Sequence, residues 1–205
     1  KTIVYFNSLK KKINEGFQGL ILLPEIGLTG EFQKKFKEFF GFDAAIWHSS
    51  ITKKNKKIIW NGIATGKIKV LIGARSSLFL PFSNLGIIIV DEEHDPSYKQ
   101  DDGVIYHARD MAISRASFEK IPIHLITSIP SIETFNNIQK KKYRHFKILR
   151  RYNDFPLPKT KIIKLNIKKI QKHYISEDTI EMVNSFLNKN EQVLFFLNRR
   201  GYAPY

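Results

Sequence analysis

The chain has 205 residues and no cysteine. That excludes a disulfide framework, a thiolate zinc site and a cysteine nucleophile within it. Long apolar runs are missing as well, since none approaches the roughly 18–20 residues of a membrane span. The opening Lys1-Thr2-Ile3-Val4 is not the charged-then-apolar lead of a secretory signal. An initiator Met is absent and the sequence stops at Tyr205 just after an apolar run, so a fragment of a longer protein is expected. Acidic residues are scarce: 19 Asp and Glu stand against 34 Lys and Arg, a formal charge of +15. Hydrophobic residues at 42% and charged residues at 26% make an ordinary globular composition, which excludes a disordered tail.

An excess of cation favours polyanions, nucleic acid and nucleotides among them. The lysine clusters at 10–12, 53–57 and 140–142 read mostly as solvated helix faces. They lack the apolar partner stripe of a membrane-surface helix.

Short apolar runs alternate with longer periodic segments. Strands are expected at Leu20–Leu23, Val70–Ile72, Ile87–Val90, Ile121–Ile126 and Val193–Leu197. Continuous apolar runs of this length fit strands covered on both faces, as in parallel sheets. Helices are expected after Thr29, with Phe32, Phe36, Phe39 and Phe40 on one face, and over 52–65, 107–119, 131–140 and 176–189. The alternation predicts an α/β fold with a parallel β-sheet flanked by helices. Arg150-Arg151 followed by Pro156 and Pro158 reads as a linker. The division is therefore 1–150 as one α/β domain, 151–175 as linker with a short strand near Ile162-Ile163, and 176–205 as the start of a second domain.

The sharpest chemical signal is Ile87-Ile88-Ile89-Val90-Asp91-Glu92-Glu93-His94. In open α/β sheets the ligand crevice lies at the carboxyl ends of strands. A carboxylate there can hold the Mg²⁺ that bridges nucleotide phosphates, and the next one can orient or deprotonate an attacking water. Asp91 is thus the candidate magnesium ligand and Glu92 the candidate water-activating group, with Glu93 and His94 coupling the site to its neighbours. A di-metal nuclease site would want further Asp, Glu or His at strand ends, and apart from Asp95 none stands out. Beside this acidic strand end, Lys1-Thr2 reads as the tail of a Gly-rich phosphate loop. Lys1 would meet the β- and γ-phosphates of ATP, and Thr2 the metal.

Several segments occur together in order: Pro24–Thr29, Arg75–Phe79, Asp91–His94 with Ser97–Gln100, Tyr106–Asp110 and Phe196–Pro204. Over nearly the whole chain they resemble the primosomal replication-restart DNA helicases, a family of superfamily 2. The resemblance implies a RecA-like lobe (a P-loop NTPase helicase lobe) over 1–150 and the beginning of a second RecA-like lobe from 176. It implies an ATP-dependent 3′→5′ DNA helicase of the cytoplasm that reloads the primosome at stalled forks. Branched and single-stranded DNA, primosome proteins and single-stranded DNA-binding protein would be its partners. ATP and Mg²⁺ are the implied cofactors, with zinc held by a module outside this chain. By position, Thr29, Arg75 and Ser76 fall in DNA-contact motifs. Tyr98, Lys99 and Tyr106 fall in an aromatic-rich loop that meets DNA, and Thr127 and Ser128 in the motif coupling DNA to hydrolysis.

The sequence departs from the family at Ala74, Val104 and Ile105, and at Thr127-Ser128-Ile129, which replaces Ser-Ala-Thr. Those departures leave a second possibility, a degenerate lobe that binds DNA or primosome proteins without hydrolysing ATP. Another superfamily-2 translocase class is a third. The 205-residue chain alone is expected to turn over little ATP, because most of the phosphate-gripping N–H groups and the arginine fingers of the second lobe lie outside it.

Overall fold

A computed structural model describes residues 1–24, 27–148, 156, 158–163 and 175–196. The chain forms two units, Lys1–Leu149 and Arg150–Tyr205. In the first, helix α1 (Thr2–Asn14) leads into β1 (Gln18–Leu22). Then follow α2 (Gly30–Phe40), β2 (Ala45–Trp47), α3 (Lys53–Ala64) and β3 (Val70–Gly73). A 3-10 turn at Arg75–Phe79 precedes β4 (Leu85–Asp91). A small antiparallel pair, β5 (Lys99–Gln100) and β6 (Tyr106–His107), precedes α4 (Ala108–Glu119), β7 (Ile123–Ile126) and α5 (Ile132–Gln139).

The main sheet has five parallel strands in the order β2-β3-β1-β4-β7. Its central strands are apolar because both faces are covered. On one face Ile21, Ile72, Ile87 and Ile89 pack under α1 and α2 against Tyr5, Phe6 and Phe36. On the other, Leu20, Leu71, Ile88 and Val90 meet Ile63 of α3 and Ala108, Ala112 and Ala116 of α4. Successive strand residues thus serve opposite cores, as the pleat dictates. After β1 the chain builds β2 and β3 on one side of it, then crosses to β4 and β7 on the other. That reversal makes the carboxyl ends of β1 and β4 the expected ligand crevice.

Side chains cap most of these helices. Thr29, Thr52 and Ser131 each accept a backbone N–H three residues on. Helix α1 has no side-chain cap, so its first turn leaves N–H donors free for another acceptor.

Strand β2 escaped the sequence reading. It has three half-buried residues at a sheet border, too few for a period to register. In the second unit α6 (Glu177–Leu187) begins at Ser176, whose hydroxyl accepts from the Thr179 amide. The strands expected near Ile162-Ile163 and over Val193–Phe196 form no ladder among the described residues. Leu197 and most of the 151–175 linker lie outside the described residues.

Candidate nucleotide site at the end of the acidic strand

Strand β4 delivers Asp91 to the rim of the sheet, and there the chain turns sharply. Glu92 sits in the left-handed region at φ 46°, and its amide donates back to Asp91 Oδ1 at 3.0 Å. The turn sends Glu92 across to the amino end of α1. Lys1 Nζ lies 2.6 Å from Glu92 Oε1 and 2.7 Å from Ser128 Oγ. One helical turn further on, Tyr5 donates its hydroxyl to Asp91 Oδ2 at 2.8 Å. His94 Nδ1 is 2.7 Å from Thr127 Oγ1 and 3.7 Å from Glu92 Oε2. Lys1, Thr2, Asp91, Glu92, His94, Thr127 and Ser128, far apart in sequence, therefore converge at the ends of β4, β7 and α1.

Burial pushes the Asp91 carboxyl above its ordinary range, although the bond from Tyr5 and the amide of Glu92 oppose the shift. Tyr5 itself is pushed up, by burial first and then by the charge of Asp91. It stays a neutral donor. A half-buried carboxylate that resists ionisation is relieved by a cation. Among the described residues no three His, Asp or Glu side chains form a metal cage. Mg²⁺ takes one or two protein oxygens and completes its shell with water and phosphate, a demand that one carboxylate and one hydroxyl meet. Asp91 and Thr2 would hold it.

Glu93 turns the opposite way, into the protein, and is 0% exposed. Its Oε1 accepts the Ser131 amide at 2.8 Å. Its Oε2 accepts from Arg109 Nη1 at 3.1 Å, Ser131 Oγ at 3.1 Å and Thr134 Oγ1 at 2.9 Å. Sequence reasoning gave Glu93 a coupling role but did not single out Arg109, Ser131 or Thr134 as its partners. The only hint was Arg109 within the Tyr106–Asp110 segment.

The candidate DNA residues are spread along the same rim. Thr29 caps α2 with its hydroxyl engaged by the Phe32 amide. Arg75 Nη1 donates to the Lys99 carbonyl, and Ser76 Oγ accepts from Trp47 Nε1 at 3.0 Å. Lys99 is exposed beside Asp101 at 3.0 Å. Tyr106 is partly buried, edge-on to Phe79 with ring centroids 5.2 Å apart.

Tyr98 corrects the expectation. It is 0% exposed, and its hydroxyl lies 3.0 Å from the Leu22 carbonyl and 2.6 Å from that of Asp91. A ring sealed in the core stacks on no base; Tyr98 instead pins the ends of β1 and β4 together. The exposed apolar side chains of this loop are Val104 and Ile105, 77% and 71% open.

A parallel sheet that brings an acidic strand end to a lysine at the first helix, with hydroxyls from the segment after β7 closing round it, has the build of a RecA-like lobe. The DEAD/DEAH box helicase family matches residues 1–138, and the chain belongs to that family. Over its whole length it is 51% identical to the replication restart protein PriA of Rickettsia felis and covers 32% of that protein. It is 40% identical to PriA of Haemophilus influenzae, with all of this chain and 28% of that protein covered. For PriA of Bacillus subtilis the values are 34%, all of this chain and 26%. The chain thus spans about a third or less of the curated relatives it matches. Among solved structures, RecG bound to a three-way DNA junction aligns with a TM-score of 0.46 at 20% identity, over 66% of this chain and 17% of that one. Dbp5 of Saccharomyces cerevisiae bound to RNA and ADP BeF3 aligns at 0.44 and 13%, over 65% and 34%.

Proposed function

We propose that this chain is the first motor lobe, and the entrance to the second, of an ATP-dependent DNA helicase that restarts replication. It moves 3′→5′ and admits primosome proteins at stalled forks. The single observation that carries the reading is Lys1 against Glu92 at 2.6 Å, beside an Asp91 held by Tyr5. It is supported by the similarity of the whole chain to proteins named for replication restart.

In the mechanism, Lys1 exchanges the Glu92 carboxylate for the β- and γ-phosphates of ATP. The free N–H groups of the first turn of α1 add to that grip. Asp91 and Thr2 would hold the Mg²⁺ that accompanies ATP, and the ion would supply positive charge against the phosphate oxygens. Glu92, released from Lys1, orients the attacking water and accepts its proton. Ser128 and the His94–Thr127 pair connect this acid to the end of β7. Arg75 and Ser76, at the end of β3, contact the DNA backbone without reading sequence.

The altered Thr127-Ser128-Ile129 segment favours the second reading, a lobe that binds without hydrolysing. Against it, Thr127 still supplies a hydroxyl to His94. In the intact protein, Glu92→Gln is expected to reduce DNA-stimulated ATP hydrolysis on the order of 10²- to 10⁴-fold while nucleotide affinity stays. Undiminished turnover in that variant removes Glu92 from the mechanism. Absence of turnover in the unaltered protein establishes the binding-only reading.

A further inference from the structure

Four non-glycine residues have positive φ among the described residues: Glu92, Lys120, Lys141 and Asn190. The last three lie at or just past the ends of α4, α5 and α6, where a left-handed residue closes a helix. Glu92 closes no helix. A residue with a side chain persists in that region only when its surroundings over-determine it.

The determinants lie on its carboxyl side. The Glu93 amide donates to the Ile126 carbonyl at 3.0 Å, extending the β4–β7 ladder past the turn. The Glu93 carboxylate then takes four donors from α4, Ser131 and α5. Arg109 is itself buried, 4% exposed. Its Nη1 also bonds Ser131 Oγ at 2.6 Å and its Nε bonds Asp110 at 2.8 Å. A buried charge with every partner supplied is held hard, because any displacement strands it without hydrogen bonds in low dielectric. With Glu93 fixed inward, the residue before it must face the other way.

We infer that the buried Glu93–Arg109 pair, with Ser131 and Thr134, is the clamp that keeps Glu92 left-handed and its carboxylate on the Lys1 side. Glu93 and Arg109 are positioning residues for hydrolysis that act through Glu92. The inference rests on the role proposed above for Glu92.

Glu93→Gln tests it. The amide offers one acceptor where the carboxylate offers two, so its NH₂ must face the Ser131 amide or the Arg109 guanidinium, donor against donor. Thr134→Val removes one donor and no charge, and carries the comparison if E93Q does not fold. Steady-state ATP hydrolysis and binding of a fluorescent ATP analogue are measured in the intact protein, with and without E92Q. E93Q is expected to lower kcat on the order of 10- to 100-fold with KM and analogue affinity held within about twofold, and T134V to lower it less. In the E92Q background neither change lowers the residual rate further, because the group they position is already gone. Wild-type kcat in both variants overturns the clamp, as does an equal loss with and without E92Q. If E92Q alone leaves turnover intact, the role of Glu92 fails first and the clamp with it.

Discussion

The Tyr5 hydroxyl and the Asp91 carboxylate meet at 2.8 Å across the interface between the first helix and the fourth strand. The bond explains how a half-buried acid is tolerated, and it also sets a cost. Burial holds the folded-state pKa of Asp91 above its unfolded value. The stability contribution of this group is therefore complete below the unfolded value of about 3.9 and is lost as pH rises through the folded one. Asp91→Asn escapes that loss: its oxygen can accept the Glu92 amide and its NH₂ can donate to the Tyr5 oxygen. The variant is expected to have a higher urea midpoint than the parent at pH 7, with the difference closing toward pH 4, and no ATPase in the intact protein. A lower midpoint at neutral pH contradicts this account.

Tyr98→Phe separates packing from nucleic-acid contact. It removes a hydroxyl shared by the carbonyls of Leu22 and Asp91, a loss of about 1 kcal/mol. The affinity of the intact protein for single-stranded DNA is expected to stay unchanged, since the ring is sealed from solvent. A large loss of DNA affinity at unchanged stability returns Tyr98 to the binding surface.

Gly73 ends β3 directly before the Arg75 turn. A Cβ there would lie 2.6 Å from Ser77 Cβ and 2.8 Å from the Trp47 carbonyl oxygen. The second neighbour is backbone of a paired strand and cannot swing aside. Gly73→Ala is expected to destabilise by about 1–3 kcal/mol, as overpacking does. Thermal denaturation reads it, and an unchanged midpoint shows that β2 and β3 separate easily.

His107 precedes α4 with its Nδ1 buried and unpartnered among the described residues. Burial, and then the charge of Arg109, lowers its pKa. Its neutral form is the folded one, so stability is full above the unfolded value of about 6.5 and is lost as pH falls toward the folded value. The denaturation midpoint should decline between about pH 7 and 5, and His107→Gln should make that slope shallower. It should not abolish it, because burial depresses His124 too. An unaltered slope excludes His107 as a source.

The parallel sheet was legible because its central strands are buried on both faces, and Leu, Ile and Val fill most of their positions. Asp91 and Glu92 stood out for the converse reason: carboxylates directly after four apolar residues mark where a strand leaves the core. Strand β2 was not, since Ala45–Trp47 is brief and half-covered. Nor was the fate of Glu93, because a carboxylate looks the same in sequence whether it faces water or a buried guanidinium. Tyr98 misled for a related reason. An aromatic residue in a polar loop suits a base or a core equally, and only the carbonyls of Leu22 and Asp91 decide between them.

The borders of the sheet have a consequence for how the protein behaves in concentrated solution. One margin is a strand of three residues and the other a strand of four. Such margins offer few unpaired amides to a neighbouring molecule, which limits templated self-assembly into fibres. Among the described residues the two longest strands, β1 and β4, are interior, sheltered on either side by their own kin.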